Sequence, residues 1–225
     1  MKPVVAPSLS PETFRFLREL AGSNRKAWMD ANRGRYESAV VAPMRDLVAA
    51  LAPSVLALEP GFDARPRFGT TLSRINRDIR FAKDKTPYRT RMYVQFSRPA
   101  SGGGQLFVGV GGRELTAGFR VYGATRDSTL RRLGRSRALD NPEWLRAQAR
   151  RLGRRYESYW YVTAKGRWTR REGFPARPED WERLWGWVVR RGFTPKDATQ
   201  AGFPRAVGRV FEDLFPLYAF TSLTE

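Results

Sequence analysis

The chain has 225 residues, 41% of them hydrophobic and 13% aromatic, and its 41 basic against 22 acidic side chains give a formal net charge of +19. That length and apolar content suit a substantial core within one large domain, expected to run over residues 1–225. Cysteine and histidine are both absent, which excludes disulfides, thiol nucleophiles, thiolate or imidazole metal sites, Ser-His-Asp triads and histidine proton shuttles.

Ser10-Pro11-Glu12 reads as a helix start, with a cap residue, proline in the first helical position and an acid in the first turn. Phe14, Leu17 and Leu20 then share one face, and Gly22 ends the helix. A second helix is expected after Asn24, where Trp28, Asn32, Tyr36 and Val40 recur every four residues. Pro43 kinks or restarts it into Met44, Leu47, Val48 and Leu51. Residues 53–66 read as a connection. From Arg67 the period shifts toward two and predicts a strand over 67–76, followed by a turn at 84–87 before Pro87.

Met92, Val94 and Phe96 alternate as the next strand, Leu106, Val108 and Val110 as a third, and Phe119 with Val121 as a fourth. Glycine-rich turns at 101–104 and 111–112 join them into an antiparallel meander. Residues 126–155 form a basic helical segment broken near Asn141-Pro142, and 159–169 a small hairpin turning at Lys165-Gly166. A helix is expected from Pro178, with Trp181, Leu184, Trp185 and Val188 as its buried face and Gly192 as its end. Val207, Val210, Phe211 and Leu214 mark a last amphipathic helix. The expected fold class is α+β, an antiparallel meander with helices packed on it. No apolar run in the sequence approaches the roughly 18 residues of a membrane span, and the N-terminus lacks a signal-peptide pattern, so cytoplasmic residence without membrane contact is expected.

Residues 74–88 carry the densest chemistry: Arg74, Arg77, Arg80, Lys83 and Lys85 with Asp78 and Asp84, an aromatic at Phe81 and another at Tyr88. Like charges so crowded need internal pairing or an external anion. In an extended segment Arg74 and Asn76 share a face while Ile75 points to the core. Arginine forks suit phosphate or carboxylate two bonds at a time, and Lys83 and Lys85 add mobile point charges. Asp78 is expected to fix Arg77 and Arg80. Asp84 is the candidate general base, with Tyr88 orienting a ligand oxygen, and Asn32 and Arg33 are candidate cleft residues from the upstream helix.

Arg74, Arg77-Asp78, Arg80-Phe81, Asp84-Lys85 and Tyr88, with Asn24, Trp28, Asn32-Arg33, Tyr36 and Pro43 upstream and Phe211 and Phe215-Pro216-Leu217 downstream, give the chain its resemblance. It resembles the domain-of-unknown-function family 2461, a mostly bacterial family without an established activity. The likeness covers most of the chain and implies a single-domain bacterial protein while leaving the chemistry open. It also implies a glycine-rich strand followed by proline after the meander and a histidine after a later Gly-Phe pair. Here those stretches read Gly118-Phe119-Arg120-Val121-Tyr122-Gly123 and Gly173-Phe174-Pro175, so a histidine-dependent reaction does not apply.

Two partner classes follow from the charge. An anionic small molecule fits the 74–88 cluster, and nucleic acid fits the broader stretch 61–155, with 22 basic and 7 acidic side chains and with Arg131, Arg132, Arg150 and Arg151 prominent. An interaction domain with an internal Arg/Asp network is the third reading. No metal site is expected, since no carboxylates stand at ligand spacing, and the sequence names no cofactor.

Overall fold

The computed structural model describes residues 9–98, 103–123, 130–164 and 167–223, apart from the side chains at 131, 132, 163, 164 and 167. Helix α1 (Pro11–Gly22) begins as its sequence directs. Ser10 stays extended, Pro11 takes the first helical position, and the Ser10 N–H donates to Thr13 Oγ1 at 3.2 Å. Helices α2 (Lys26–Ala31) and α3 (Arg33–Tyr36) follow. Trp28 and Tyr36 close around Phe16, with ring centroids 5.3 and 5.9 Å from it.

A π-helical turn, Glu37–Val41, leads into α4 (Ala42–Leu58). Pro43 accounts for the widened turn, because its ring crowds the carbonyl four residues back and it has no N–H to donate. The helix then continues through Pro53 to Leu58, so the first residues of the expected 53–66 connection are helical. Met44, Leu47, Val48, Leu51 and Val55 form an uninterrupted buried face that outweighs the one lost donor. With α3 and the π-turn it makes a helical run, Arg33–Leu58, that is apolar and long enough to cross a membrane by length and composition, with mean hydropathy 1.5 over 18 residues. The sequence alone, divided at its prolines, concealed that length. The apolar side chains named above are at most 1% exposed, so they are packed inside the protein.

The strands are β1 (Arg91–Phe96), β2 (Gln105–Gly111), β3 (Leu115–Tyr122), β4 (Glu157–Ala164), β5 (Arg167–Glu172) and β6 (Leu184–Phe193). They form one six-stranded antiparallel sheet in the order β1-β2-β3-β6-β4-β5. The helices after β3 are α5 (Arg135–Asp140), preceded by a π-turn at Leu130–Gly134, then α6 (Pro142–Leu152), α7 (Pro178–Glu182), α8 (Pro195–Ala198) and α9 (Phe203–Ser222). The fold is therefore α+β, and the meander β1-β2-β3 stands where the alternation predicted it. The turn positions 101, 102, 165 and 166 lie outside the described residues.

The helix expected from Pro178 is corrected: it stops at Glu182, and Leu184–Phe193 is strand β6. Apolar residues at 181, 184, 185 and 188 satisfy a helical period. The run Leu184-Trp185-Gly186-Trp187-Val188-Val189 is equally the unbroken aromatic and β-branched signature of a buried strand, and pairing with β4 decides in favour of the strand.

The chain divides into two compact units, one made of Met1–Phe96, Val108–Thr116 and Gly192–Arg209, the other of Ser97–Phe107, Ala117–Arg191 and Val210–Glu225. The first is built on the buried faces of α1 and α4. The second is built around Trp187, 1% exposed, whose ring meets Phe119, Phe174 and Trp181 edge-on at 5.6 to 6.0 Å. Its indole N–H donates to Ser158 Oγ at 2.9 Å, and that hydroxyl donates onward to Gly173 O at 3.0 Å.

Candidate functional site

In the first unit, residues 71–77 run antiparallel to 87–95 without forming a regular strand. The Gln95 N–H donates to Thr71 O at 2.9 Å, Ser73 N–H to Tyr93 O at 2.9 Å, Arg89 N–H to Ile75 O at 2.7 Å and Arg77 N–H to Pro87 O at 2.8 Å. The expected strand over 67–76 is thus half replaced. Residues 67–72 fold as a tight turn in which Gly69 takes φ +87° and Leu72 N–H donates to Arg67 O at 2.9 Å. Thr71, fully buried, secures the turn by accepting from Arg67 N–H at 2.9 Å and donating to Arg65 O at 2.5 Å. The period-two pattern of 68–72 belonged to that turn.

Asn24 fixes the other side of the ladder. Its Nδ2 donates to Tyr88 O at 2.8 Å and its Oδ1 accepts from Tyr88 N–H at 3.0 Å, so a side-chain amide takes the place of a neighbouring strand. Tyr88 is 7% exposed and packs as core.

An open groove of about 510 Å³ lies along this ladder, lined among others by Ser73, Arg74, Asn76, Arg77, Asp78 and Arg89. Arg74 and Asn76 line it together while Ile75, 5% exposed, turns inward, as alternation requires even of an irregular extended segment. Arg89, just past the expected cluster, joins them, and the same alternation carried one residue beyond Tyr88 is the signal that finds it. Arg74 and Arg89 are exposed, and no ion pair or side-chain hydrogen bond engages either of them among the described residues.

Residues 78–85 close on themselves at the tip of the ladder. Arg77 NH1 donates to Asp84 Oδ2 at 2.6 Å, to Thr86 O at 3.0 Å and to the Thr86 hydroxyl. Asp84 also accepts from Thr86 N–H at 2.9 Å. That backbone donor, followed by Arg77, holds its pKa down to about 2. Asp78 pairs with Arg80 through two bonds of 3.0 and 2.7 Å, which lower its pKa, and makes no bond to Arg77. Lys85 Nζ donates to the Ile79 and Arg80 carbonyls at 3.0 and 3.3 Å. Lys83 is exposed and, like Arg80, Asp84, Lys85 and Tyr88, does not line the groove.

The upstream candidates belong to a different assembly. Asn32 Oδ1 accepts from Arg35 NH1 at 2.9 Å, and Arg35 reaches Glu12 at 2.6 Å and Glu19 at 2.8 Å, riveting α3 to α1. Arg33 lies 3.8 Å from Asp30. Arg35 is the hub, and it stands one helical step off the Trp28, Asn32, Tyr36 stripe, so the four-residue recurrence does not single it out.

Among the described residues no three carboxylates converge as metal ligands. In the second unit a larger hollow of about 870 Å³ is lined by Trp160 and Phe174 and by charges of both signs, three arginines including Arg171 and Arg183 against four carboxylates including Glu179. Of the arginines considered for nucleic acid, Arg151 is tied to Gln148 and to Asp213 O at 2.7 Å, Arg150 is exposed, and the side chains of Arg131 and Arg132 lie outside the described residues.

Comparison with curated proteins gives no match. Residues 12–220 match the family described as Conserved hypothetical protein (DUF2461), a span that covers most of the chain, and the protein belongs to that family.

Proposed function

We propose that the groove along the 71–77 and 87–95 ladder binds an anionic small molecule through a phosphate or carboxylate group. The observation that carries this reading is the pair Arg74 and Arg89. Their neighbours Arg77 and Arg80 are each matched to an aspartate, yet these two guanidinium groups face one groove with no carboxylate partner among the described residues. Two planar forks lining one groove offer an oxyanion several charge-assisted bonds, with Asn76 and Ser73 alongside as neutral hydrogen-bonding groups. Asp78 opposes an anion, but its charge is already engaged by Arg80.

In this reading the 79–86 loop shapes the site without touching the ligand, so Lys83, Lys85 and Asp84 are secondary to Arg74 and Arg89. The family match runs through both compact units, which supports treating residues 1–225 as one functional domain. Cytoplasmic residence belongs to the same proposal, supported by an α4 whose apolar face is packed inside.

Calorimetric titration of the full chain with inorganic phosphate and with pyrophosphate tests it. Arg74→Gln and Arg89→Gln are expected each to weaken binding about tenfold or more, as loss of a charge-assisted pair implies, while thermal unfolding hardly moves. Lys85→Met is expected to bind as the parent does. Equal binding in all four proteins, or none in the parent at low salt, overturns the proposal.

A further inference from the structure

On the sheet of the second unit lies a cluster of rings that the groove does not use. β3 contributes Tyr122, β6 Trp185, β4 Tyr161 and β5 Trp168, and these four strands are consecutive in the sheet. The centroids stand 6.4 Å apart for Tyr122 and Tyr161, 6.4 Å for Tyr122 and Trp168, 5.6 Å for Tyr161 and Trp168, and 6.2 Å for Trp168 and Trp185. Aromatic groups that pack so closely are ordinarily inside a protein. Here Trp168 keeps 52% of its surface exposed and Tyr122 keeps 40%.

Gly186 helps to build the cluster. It stands opposite Tyr161 in the β4–β6 register, and a Cβ at that position would come within 2.5 Å of Tyr122 Cδ1 and 2.9 Å of Cε1. The missing side chain lets the Tyr122 ring lie down against the strand, with the rest of it left to solvent. Along the same strands Arg170 and Arg190, both paired with Glu157, cover the Tyr159 ring at 3.8 and 5.3 Å, so guanidinium groups stand on the same strands as the ring cluster.

Exposed rings on a sheet can receive either the faces of sugars or the faces of bases. Charge separates the two, because the second unit holds 20 basic against 11 acidic side chains, an excess that attracts a polyanion and gives nothing to a neutral glycan. The rings converge into one cluster whose exposed members, Trp168 and Tyr122, stand 6.4 Å apart, so bases of an unpaired chain can lie against them. We infer that this face is a stacking surface for single-stranded nucleic acid, in which unpaired bases lie on Trp168 and Tyr122 and arginines of the same unit take the phosphates.

The test is fluorescence anisotropy of labelled oligothymidylate and oligoadenylate titrated with the full chain at two salt concentrations. A duplex and a soluble neutral polysaccharide serve as competitors. Single strands are expected to bind, more weakly as salt rises, with about a tenfold loss in each of Trp168→Ala and Tyr122→Ala. Trp168→Tyr is expected to retain most of the affinity, which separates loss of stacking from loss of fold. Three results overturn the inference: no binding at the lower salt, unchanged binding in both alanine variants, or displacement by the polysaccharide in preference to unlabelled single strand.

Discussion

The Asp84 carboxylate accepts from three donors, the Thr86 N–H, the Arg77 guanidinium and the Thr86 hydroxyl. Together they set it at a pKa of about 2, against an ordinary aspartate value near 3.8. An acid held so low is ionised at neutral pH and accepts a proton poorly, which suits a fastener better than a general base. Its folded pKa is depressed, so the fastening is fully present above about pH 4 and is lost as pH falls through 2. The Thr86 amide resonance should therefore titrate with a midpoint near 2, and the Asp84→Asn variant should show no such step. A midpoint near 3.8 would mean that the clamp does not form in solution. Composition and spacing made the pairing of these charges foreseeable, since five cations in so short a stretch must be compensated. Which carboxylate meets which arginine was not foreseeable, because Asp78 turns to Arg80 and Asp84 reaches back seven residues to Arg77, a choice made by the loop's backbone.

Elements show the same division between what period reveals and what packing decides. Helices α1 and α9, the Met44–Leu51 part of α4 and the meander strands were legible, because each carries apolar residues at a single clear period. β6 was not, because an unbroken apolar run fits either period and only a partner strand resolves it. The groove was half legible: Arg74, Asn76 and Ile75 follow from alternation, whereas Arg89 becomes part of the site only when 87–95 folds back beside 71–77. Gly118 shows how tightly such pairing is specified. A Cβ there would lie 2.2 Å from Val189 O and 2.8 Å from the Arg190 Cα, both backbone atoms of β6, which cannot turn aside as a side chain could. Gly118→Ala should accordingly cost about 2 kcal/mol or more in urea unfolding. Gly22→Ala, where a Cβ meets nothing within 4 Å, should cost far less. Equal losses in the two variants would show that β3 and β6 are not so closely apposed.

For the whole molecule the governing quantity is the net charge of +19. Self-repulsion grows with the square of that excess, while each exposed ion pair, such as Lys26 with Asp30 or Arg146 with Glu143, is screened by solvent and contributes little. Salt weakens both, but the repulsive sum is the larger of the two at low ionic strength, where charges interact over about 30 Å instead of about 8 Å. The melting temperature should therefore rise as sodium chloride is raised from about 10 to about 150 mM, and a fall would mean that the ion pairs dominate. Against that general screening a specific anion must show itself as a difference at constant ionic strength. Phosphate should raise the melting temperature more than chloride does, in a saturable way, if Arg74 and Arg89 hold it. The excess over chloride should vanish in Arg74→Gln while the chloride curve itself shifts little, since one charge in nineteen barely alters the repulsion. A phosphate effect that persists in that variant would belong to the charged surface at large and not to the groove.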